Sequence, residues 1–392
     1  MMQRLGKKLF SWASILDDAA RKQALVTSEM PFVQPHMALM PDAHVGLGAT
    51  VGSVIPTEGA IMPAAVGVDI GCGMVAVLTQ WTTGQVRAAG DLSKLRVAIE
   101  RAIPLSAGNY NHKILPTAEP RIALLEAKAH DDGVNPDQYH SGKWRFQLGT
   151  LGSGNHFIEI TRDELDRVWL FLHSGSRGIG NLMAQHHIKV AKAQMDKFWI
   201  TLPDPALAYL VEGTDEFDAY IRDLHWAQEF ALLNREEMME RVETCISEFM
   251  GAPVERSEVI NCHHNFTHKE HHFGRELWIS RKGAISAQVG EMGLIPGSMG
   301  TASYVVAGKG NRVSMCSAPH GAGREFSRSA ARRAFTMADL EAAMGDIEFR
   351  RTSAFIDEIP AAYKPIDQVM EDSEDLVEIR HQMSQIINVK GD

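Results

Sequence analysis

Five side chains in four separated segments have the chemistry to share metal ions. Asp69 and Cys72 stand three residues apart in Gly67-Val68-Asp69-Ile70-Gly71-Cys72-Gly73-Met74. The glycines let the backbone turn sharply there and come close to a ligand. A hard carboxylate and a soft thiolate at that spacing can reach one ion, and a thiolate can bridge two. His156 and His173 border the apolar runs 157–160 and 168–172, which places each at a strand end, and His264 lies in Asn261-Cys262-His263-His264-Asn265. Taken singly, each has a bland reading: a turn aspartate, a small buried cysteine, a satisfied core histidine. Their recurrence at strand–glycine-loop junctions points to one shared site. Imidazole, carboxylate and thiolate together suit Mn, Fe, Co, Ni or Zn better than Mg or Ca.

A second group suits phosphate. Gly-rich loops at 149–154, 296–300 and 321–323 expose backbone N–H groups of the kind that cradle phosphates, although none is a Walker A loop or a helix-opening G-x-G-x-x-G. His320 precedes Arg324, Arg328 and Arg332, which recur every four residues. A helix over 322–334 would put the arginines on one face and His320 at its N-terminus, where the dipole favours an anion. The alternative is a solvated basic face. Arg177 and the pair Arg281-Lys282 could extend the same basic cleft. The segment Pro41-Asp42-Ala43-His44-Val45-Gly46 stands out for its composition, without an evident role.

The elements that must hold these residues are legible in outline. Helices are expected over 14–27, with Ile15, Ala19 and Ala20 inward, over 120–131, 181–199 and 337–345, and over 215–249 with room for one break. Strands and tight turns are expected over 37–88 (including 64–68) and 257–315, and 376–387 reads as a helix or a strand. The order of these elements indicates an α+β chain rather than a βαβ series. No repeat or linker divides it, so 1–392 is read as a single large mixed domain, with 181–250 a candidate helical insertion. Among 392 residues, 45% are apolar, enough for a large core. No apolar run approaches a membrane span and no signal peptide is evident, so a cytoplasmic protein is expected. Four cysteines without a CxxC pair exclude a disulfide framework and a structural zinc module. The net charge of −10 argues against a broad nucleic-acid coat but leaves room for a local basic cleft.

Assembled, these segments resemble the RtcB-type RNA-splicing ligase family. The strings at 64–73, 148–159, 173–178, 295–300 and 320–324 carry the likeness, which extends over nearly the whole chain. The resemblance implies β-sheets around a central metal cleft with inserted helices. It implies two Mn(II) ions, one held by Asp69, Cys72 and His156 and the other by Cys72, His173 and His264, with Cys72 bridging. It implies that His320 becomes guanylylated by GTP. Guanylate contacts carry over to Asn155, His156, Phe157, Ile158, Glu159, His264, Asn265, Pro296, Gly297, Ser298, Met299 and Ser303. They also carry over to His320, Gly321, Ala322, Gly323, Tyr363 and Lys390. Glu159 and Lys390 together could read guanine. Arg177 matches a residue near the RNA phosphate. The implied activity is GTP-dependent joining of an RNA 3′-phosphate or 2′,3′-cyclic phosphate to a 5′-hydroxyl, in tRNA splicing or RNA repair, by a monomer without membrane partners. Two other readings fit part of the pattern. A dinuclear metallo-phosphoesterase would use the same five ligands but leaves His320 and Lys390 without work, and a non-catalytic RNA-end binder has no need of an intact ligand set.

Overall fold

The computed structural model describes residues 2–392. Two β-sheets form the framework. The larger runs in the order Glu258–His263, Gly73–Thr82, Arg167–Ser174, Phe157–Arg162, Val377–Val389, Ser303–Gly308, Met292–Ile295, and Glu348–Phe349 pairs in parallel with Val377–Val389. The six-stranded sheet runs Gln3–Gly6, Leu9–Ser11, Met37–His44, Val51–Thr57, Arg275–Lys282, Asn265–His272. This is a single mixed helix/sheet domain, and no helix among the described residues is long and apolar enough to cross a membrane.

The larger sheet is covered on both faces, which explains why its strands read as near-continuous apolar runs. Val75 and Val77 join Ile158, Ile160, Leu170 and Leu172 under helical residues Met238, Val242 and Ile246. Met74, Ala76 and Leu78 point the other way, onto Phe157, Trp169, Phe171 and Leu294. The covering helix, Asp215–Met250, runs 36 residues without a break. The side chain of Thr214 accepts from the Phe217 N–H at its start, and Gly251, in the left-handed conformation, closes its end.

The register brings the chemistry to one edge. Met74 and Phe157 both pair with His173, His263 pairs with Gly73, and Val389 pairs with Ile158. Cys72, His156, His173, His264 and Lys390 therefore lie at the same end of five adjacent strands, each about 4.8 Å from the next. His264 is also the point at which the chain leaves one sheet for the other: Glu258–His263 belongs to the larger and Asn265–His272 to the smaller.

Several elements differ from expectation. The first helix is Asp18–Ser28, so Ile15 precedes it and Ala19 is exposed, while Ala20 is buried. Within 37–88, Pro63–Val66 and Thr83–Ala89 are helical; the first is a single turn opened by Pro63 and the second is opened by a capping box from Thr82 and Gln85. Residues 376–387 resolve as the strand Val377–Val389. The helix expected over 322–334 is only Arg328–Ala334, capped by Ser327. His320 instead follows the strand Ser317–Pro319, and Arg324 lies outside the helix, so only Arg328 and Arg332 share a helix face.

Gly71 fits tightly under the long helix. Its φ is +67°, and a Cβ would lie 2.8 Å from Ala231 Cβ and 2.9 Å from Gln228 Cα. Gly71→Ala is expected to lower stability by about 2 kcal/mol or more, through left-handed strain and overpacking, as measured by chemical denaturation.

Candidate metal and nucleotide site

At the strand ends, donor atoms converge. Cys72 Sγ lies 3.4 Å from His156 Nε2 and 3.3 Å from His173 Nε2. His156 Nε2 is 3.0 Å from Asp69 Oδ2, and His173 Nε2 is 2.8 Å from His264 Nε2. The donors form two sets that share the thiol, Asp69–Cys72–His156 and Cys72–His173–His264. The ring orientations suit cations. His156 Nδ1 donates to Leu151 O at 2.9 Å and His173 Nδ1 to Asn155 O at 3.2 Å, which leaves each Nε2 with a lone pair facing the cluster. Burial lowers the pKa values of His173 and His264 well below the ordinary imidazole range, so both are neutral. His156 Nε2 thus turns a lone pair toward the Asp69 carboxylate 3.0 Å away, and a cation between them removes that repulsion. The donor set therefore fits divalent metal.

Two adjacent polar residues on the long helix hold the loops that carry these ligands. Asn234 Oδ1 accepts from Gly149 N–H (2.7 Å), and its Nδ2 donates to Gly175 O (3.1 Å). Arg235, fully buried, donates from Nη1 to Gly71 O (2.8 Å) and Ser174 O (3.2 Å), and from Nε to Asn261 Oδ1 (3.0 Å). The Gly71, Ser174 and Asn261 segments are thus tied to one guanidinium. The sequence held a signal for both residues. They fall on the apolar stripe defined by Leu224, Ala227, Ala231 and Met238, where a polar residue needs a partner.

His320 stands beside the cluster, its ring centroid 4.6 Å from that of His264. Its Nδ1 donates to Asp42 Oδ2 at 2.6 Å and its backbone N–H donates to the same oxygen at 3.1 Å, leaving Nε2 free. Asp42 is fully buried, and Lys364 Nζ donates to the carbonyls on either side of it, Pro41 (3.2 Å) and Ala43 (2.7 Å). A Cβ at Gly323 would overlap Asp42 O, so only glycine lets the 320–323 loop lie on this segment. Here Pro41–Gly46 gains a place in the site: Asp42 orients His320, and His44, its pKa pushed down to about 4 by burial, lines the space around it.

Two clefts meet at His320. The first, ≈ 700 Å³ including its mouth, is lined by Asn155, Phe157, Glu159, Pro296, Gly297, Ser298, Met299, Ser303, Gly321, Ala322, Gly323, Tyr363 and Lys390. The second is lined by Asp69, Cys72, His264, Asn265 and Lys282. Ile158 does not face the first cleft; it alternates with Phe157 and Glu159 and packs in the core. Asn265 faces the second cleft rather than the first. Arg177 lines neither; its Nε donates to Thr150 Oγ1 at 3.1 Å, and its charge acts on Asp69.

The basic cleft expected from the arginines is largely neutralised. Arg324 and Arg328 pair with Glu358, Arg328 and Arg332 pair with Asp357, and Lys390 Nζ lies 3.0 Å from Glu358 Oε2. Lys390 therefore pairs with Glu358 and not with Glu159. Glu358, which no sequence motif marks, also accepts from Tyr363 OH at 2.7 Å. Arg281 is buried on Glu270 and Ser317, away from the cleft, because its strand alternates it inward. Lys282 does line the second cleft, and burial pushes its pKa down to about 8. Glu159 accepts from Asn388 Nδ2 at 2.7 Å, yet burial pushes its pKa up to about 8.

A family model described as "tRNA-splicing ligase RtcB" matches residues 23–391. The chain belongs to the RtcB family. It is 46% identical over 391 residues to the RNA-splicing ligase RtcB of Escherichia coli K12, covering 95% of this chain and 94% of that one. The RNA-splicing ligase RtcB1 of another Escherichia coli strain is similar to the same degree. The tRNA-splicing ligase RtcB of Pyrobaculum aerophilum is 30% identical over 424 residues, covering 90% and 87%. RtcB kinship thus runs through every segment that supplies a donor to the cluster.

Two outcomes follow from this geometry. Asn234→Ala is expected to weaken binding of a divalent cation by about 10- to 100-fold, as measured by titration calorimetry, because it frees the 149–150 and 174–175 segments. For Glu159, a folded-state pKa near 8 against an ordinary 4.5 means the folded chain holds a proton that the unfolded chain has lost. Its contribution to stability is complete below pH 4.5 and is lost as pH rises through 8. Denaturation midpoints of Glu159→Gln should show a smaller decline than the wild type between those limits.

Proposed function

We propose that this chain is a GTP-dependent RNA ligase that joins an RNA 3′-phosphate or 2′,3′-cyclic phosphate end to a 5′-hydroxyl through a guanylylated His320. The observation that carries the reading is the His320 imidazole, oriented by Asp42, 4.6 Å from a ring of the metal-type donor cluster and at the meeting point of two clefts. A phosphoesterase would need the cluster alone. The first cleft is assigned to guanylate and the second to the RNA end.

Asp69, Cys72 and His156 would hold one divalent ion, and Cys72, His173 and His264 the other, with Mn(II) the ion the family likeness favours. Such a pair supplies charge neutralisation where phosphates are brought together. The chain's own groups do the rest. Asp42 fixes the Nδ1–H tautomer of His320, so Nε2 presents its lone pair to the α-phosphorus of GTP. A P–N bond forms, the bond to pyrophosphate breaks, and the Asp42 carboxylate offsets the charge that develops on the ring. An RNA 3′-phosphate oxygen then displaces His320 from that phosphorus, giving a phosphoanhydride. Attack by a 5′-hydroxyl on the RNA phosphorus expels GMP, which is a competent leaving group where an oxygen of the free 3′-phosphate is not. Arg177 lines neither cleft, so the role the family likeness gives it at that phosphate would be exerted by its charge beside Asp69. Glu159 and Lys390 line the guanylate cleft, where Glu159, on giving up its proton, can accept from guanine N1–H and N2–H and the Lys390 ammonium can donate to O6. The domain 1–392 works as one catalytic unit in tRNA splicing or RNA repair.

The test is incubation with divalent metal and α-labelled GTP. The wild type is expected to acquire an acid-labile label and then to seal a 3′-phosphate RNA to a 5′-hydroxyl RNA. His320→Ala should bind metal normally and take no label. Label retained on that variant moves the nucleophile elsewhere, and phosphate release without any label supports a hydrolase.

A further inference from the structure

The helix Arg177–Lys197 begins beside the donor cluster and ends in an unusual cap. Arg177, its first residue, neighbours Asp69, and Ile188, halfway along, lines the second cleft together with Asp69 and His264. At its far end, Trp199 N–H donates to Asp196 O and Ile200 N–H donates to Met195 O. That is the Schellman pattern, whose left-handed position is normally glycine or asparagine. Here it holds Trp199 at φ +56°, and the indole is 94% exposed. The other tryptophans, Trp12, Trp81, Trp144, Trp169, Trp226 and Trp278, are buried. The fold thus accepts backbone strain to hold one large aromatic ring in solvent, which neither core packing nor capping requires. Phe198, beside it, is also exposed.

The surroundings indicate what the ring meets. Lys189, Lys192 and Lys197 on this helix are exposed and enter no ion pair among the described residues, in a chain whose net charge is −10. Lys192 lies one turn beyond Ile188 on the same face. Unpaired cations along a helix, ending in an exposed aromatic ring, match a single strand of nucleic acid: phosphates against the lysines and a base on the indole. We infer that this helix is a track for the single-stranded RNA leading to the end that is joined, with Trp199 as its distal stacking platform. The inference rests on the ligase reading above and adds to it a dependence on RNA length. The helix has 21 residues, about 30 Å, or about nine stacked nucleotides at 3.4 Å each. No covalent step is involved.

The experiment compares wild type, Trp199→Gly and Lys189→Gln/Lys192→Gln in sealing 3′-phosphate RNAs of about 4 and about 15 nucleotides, lengths that fall short of and exceed the track, with GTP labelling of the enzyme as the control. Trp199→Gly is expected to raise KM for the longer RNA about fivefold or more, to leave the shorter one unchanged, and to raise or preserve Tm, since glycine suits the left-handed cap. The double lysine variant should flatten the salt dependence of binding to the longer RNA by about one unit of slope or more. An unchanged KM for the longer RNA in Trp199→Gly, or the same change at both lengths, overturns the track. So does a variant whose only change is its oligomeric state, because the ring then serves a second copy of the chain. Absence of GTP label in the wild type would instead refute the ligase reading, independently of the length comparison.

Discussion

A single buried guanidinium is the constraint on which the site depends. Arg235 has no exposed surface and donates to a carbonyl of the Gly71 loop, a carbonyl at the end of the His173 strand and the side chain of Asn261. Those groups lie on or beside three neighbouring strands of the larger sheet, at the ends that carry the donor cluster. Burying the guanidinium is costly, and its pKa is pushed down to about 10, yet hydrogen bonds to fixed acceptors offset that cost. Asn234 does the same for the 149–150 and 174–175 turns. The long helix is therefore more than a cover for the sheet. Its apolar positions set its distance from the strands, and its two polar ones set where the loops emerge.

Charge in the first cleft is arranged in a similar way. Three arginines and a lysine gather round Asp357 and Glu358, so the cleft carries much less net positive charge than its cations suggest. Arg324 also lies over the Tyr363 ring at 4.9 Å, which fixes the aromatic wall. Asp42 acts on His320 instead. It fixes the tautomer of His320 and is itself held by the carbonyl contacts of Lys364. An anion entering this cleft competes with carboxylates already in place, which favours ligands that bring their own cations over free phosphate.

Much of this was legible from the residues. The alternation of apolar runs with glycine-bounded polar segments placed the strand ends, and Asp69, Cys72, His156, His173 and His264 do converge there. The cleft-lining loops at 296–299 and 320–323 were also visible as glycine clusters. What failed was local inference from spacing. Arg324, Arg328 and Arg332 recur at helical intervals, but Ser327 caps the helix late and tertiary ion pairs decide where the side chains go. Glu358 and Lys364 act through contacts with residues far along the chain, and no local pattern reports those. Asp42 sat in a segment marked by composition alone, because its partner lies 278 residues away.

His264 belongs to neither sheet and is joined to both. Its N–H is bonded to Cys72 O at the margin of the larger sheet, while its own carbonyl accepts from Ala284, just past the last strand residue of the smaller. A one-residue crossing has no slack. Any tilt of one sheet against the other must alter the 2.8 Å approach of His264 to His173 before it is absorbed elsewhere. The cluster consequently works as a gauge of how the two halves of the framework are seated, and whatever occupies it acts as a rivet between them.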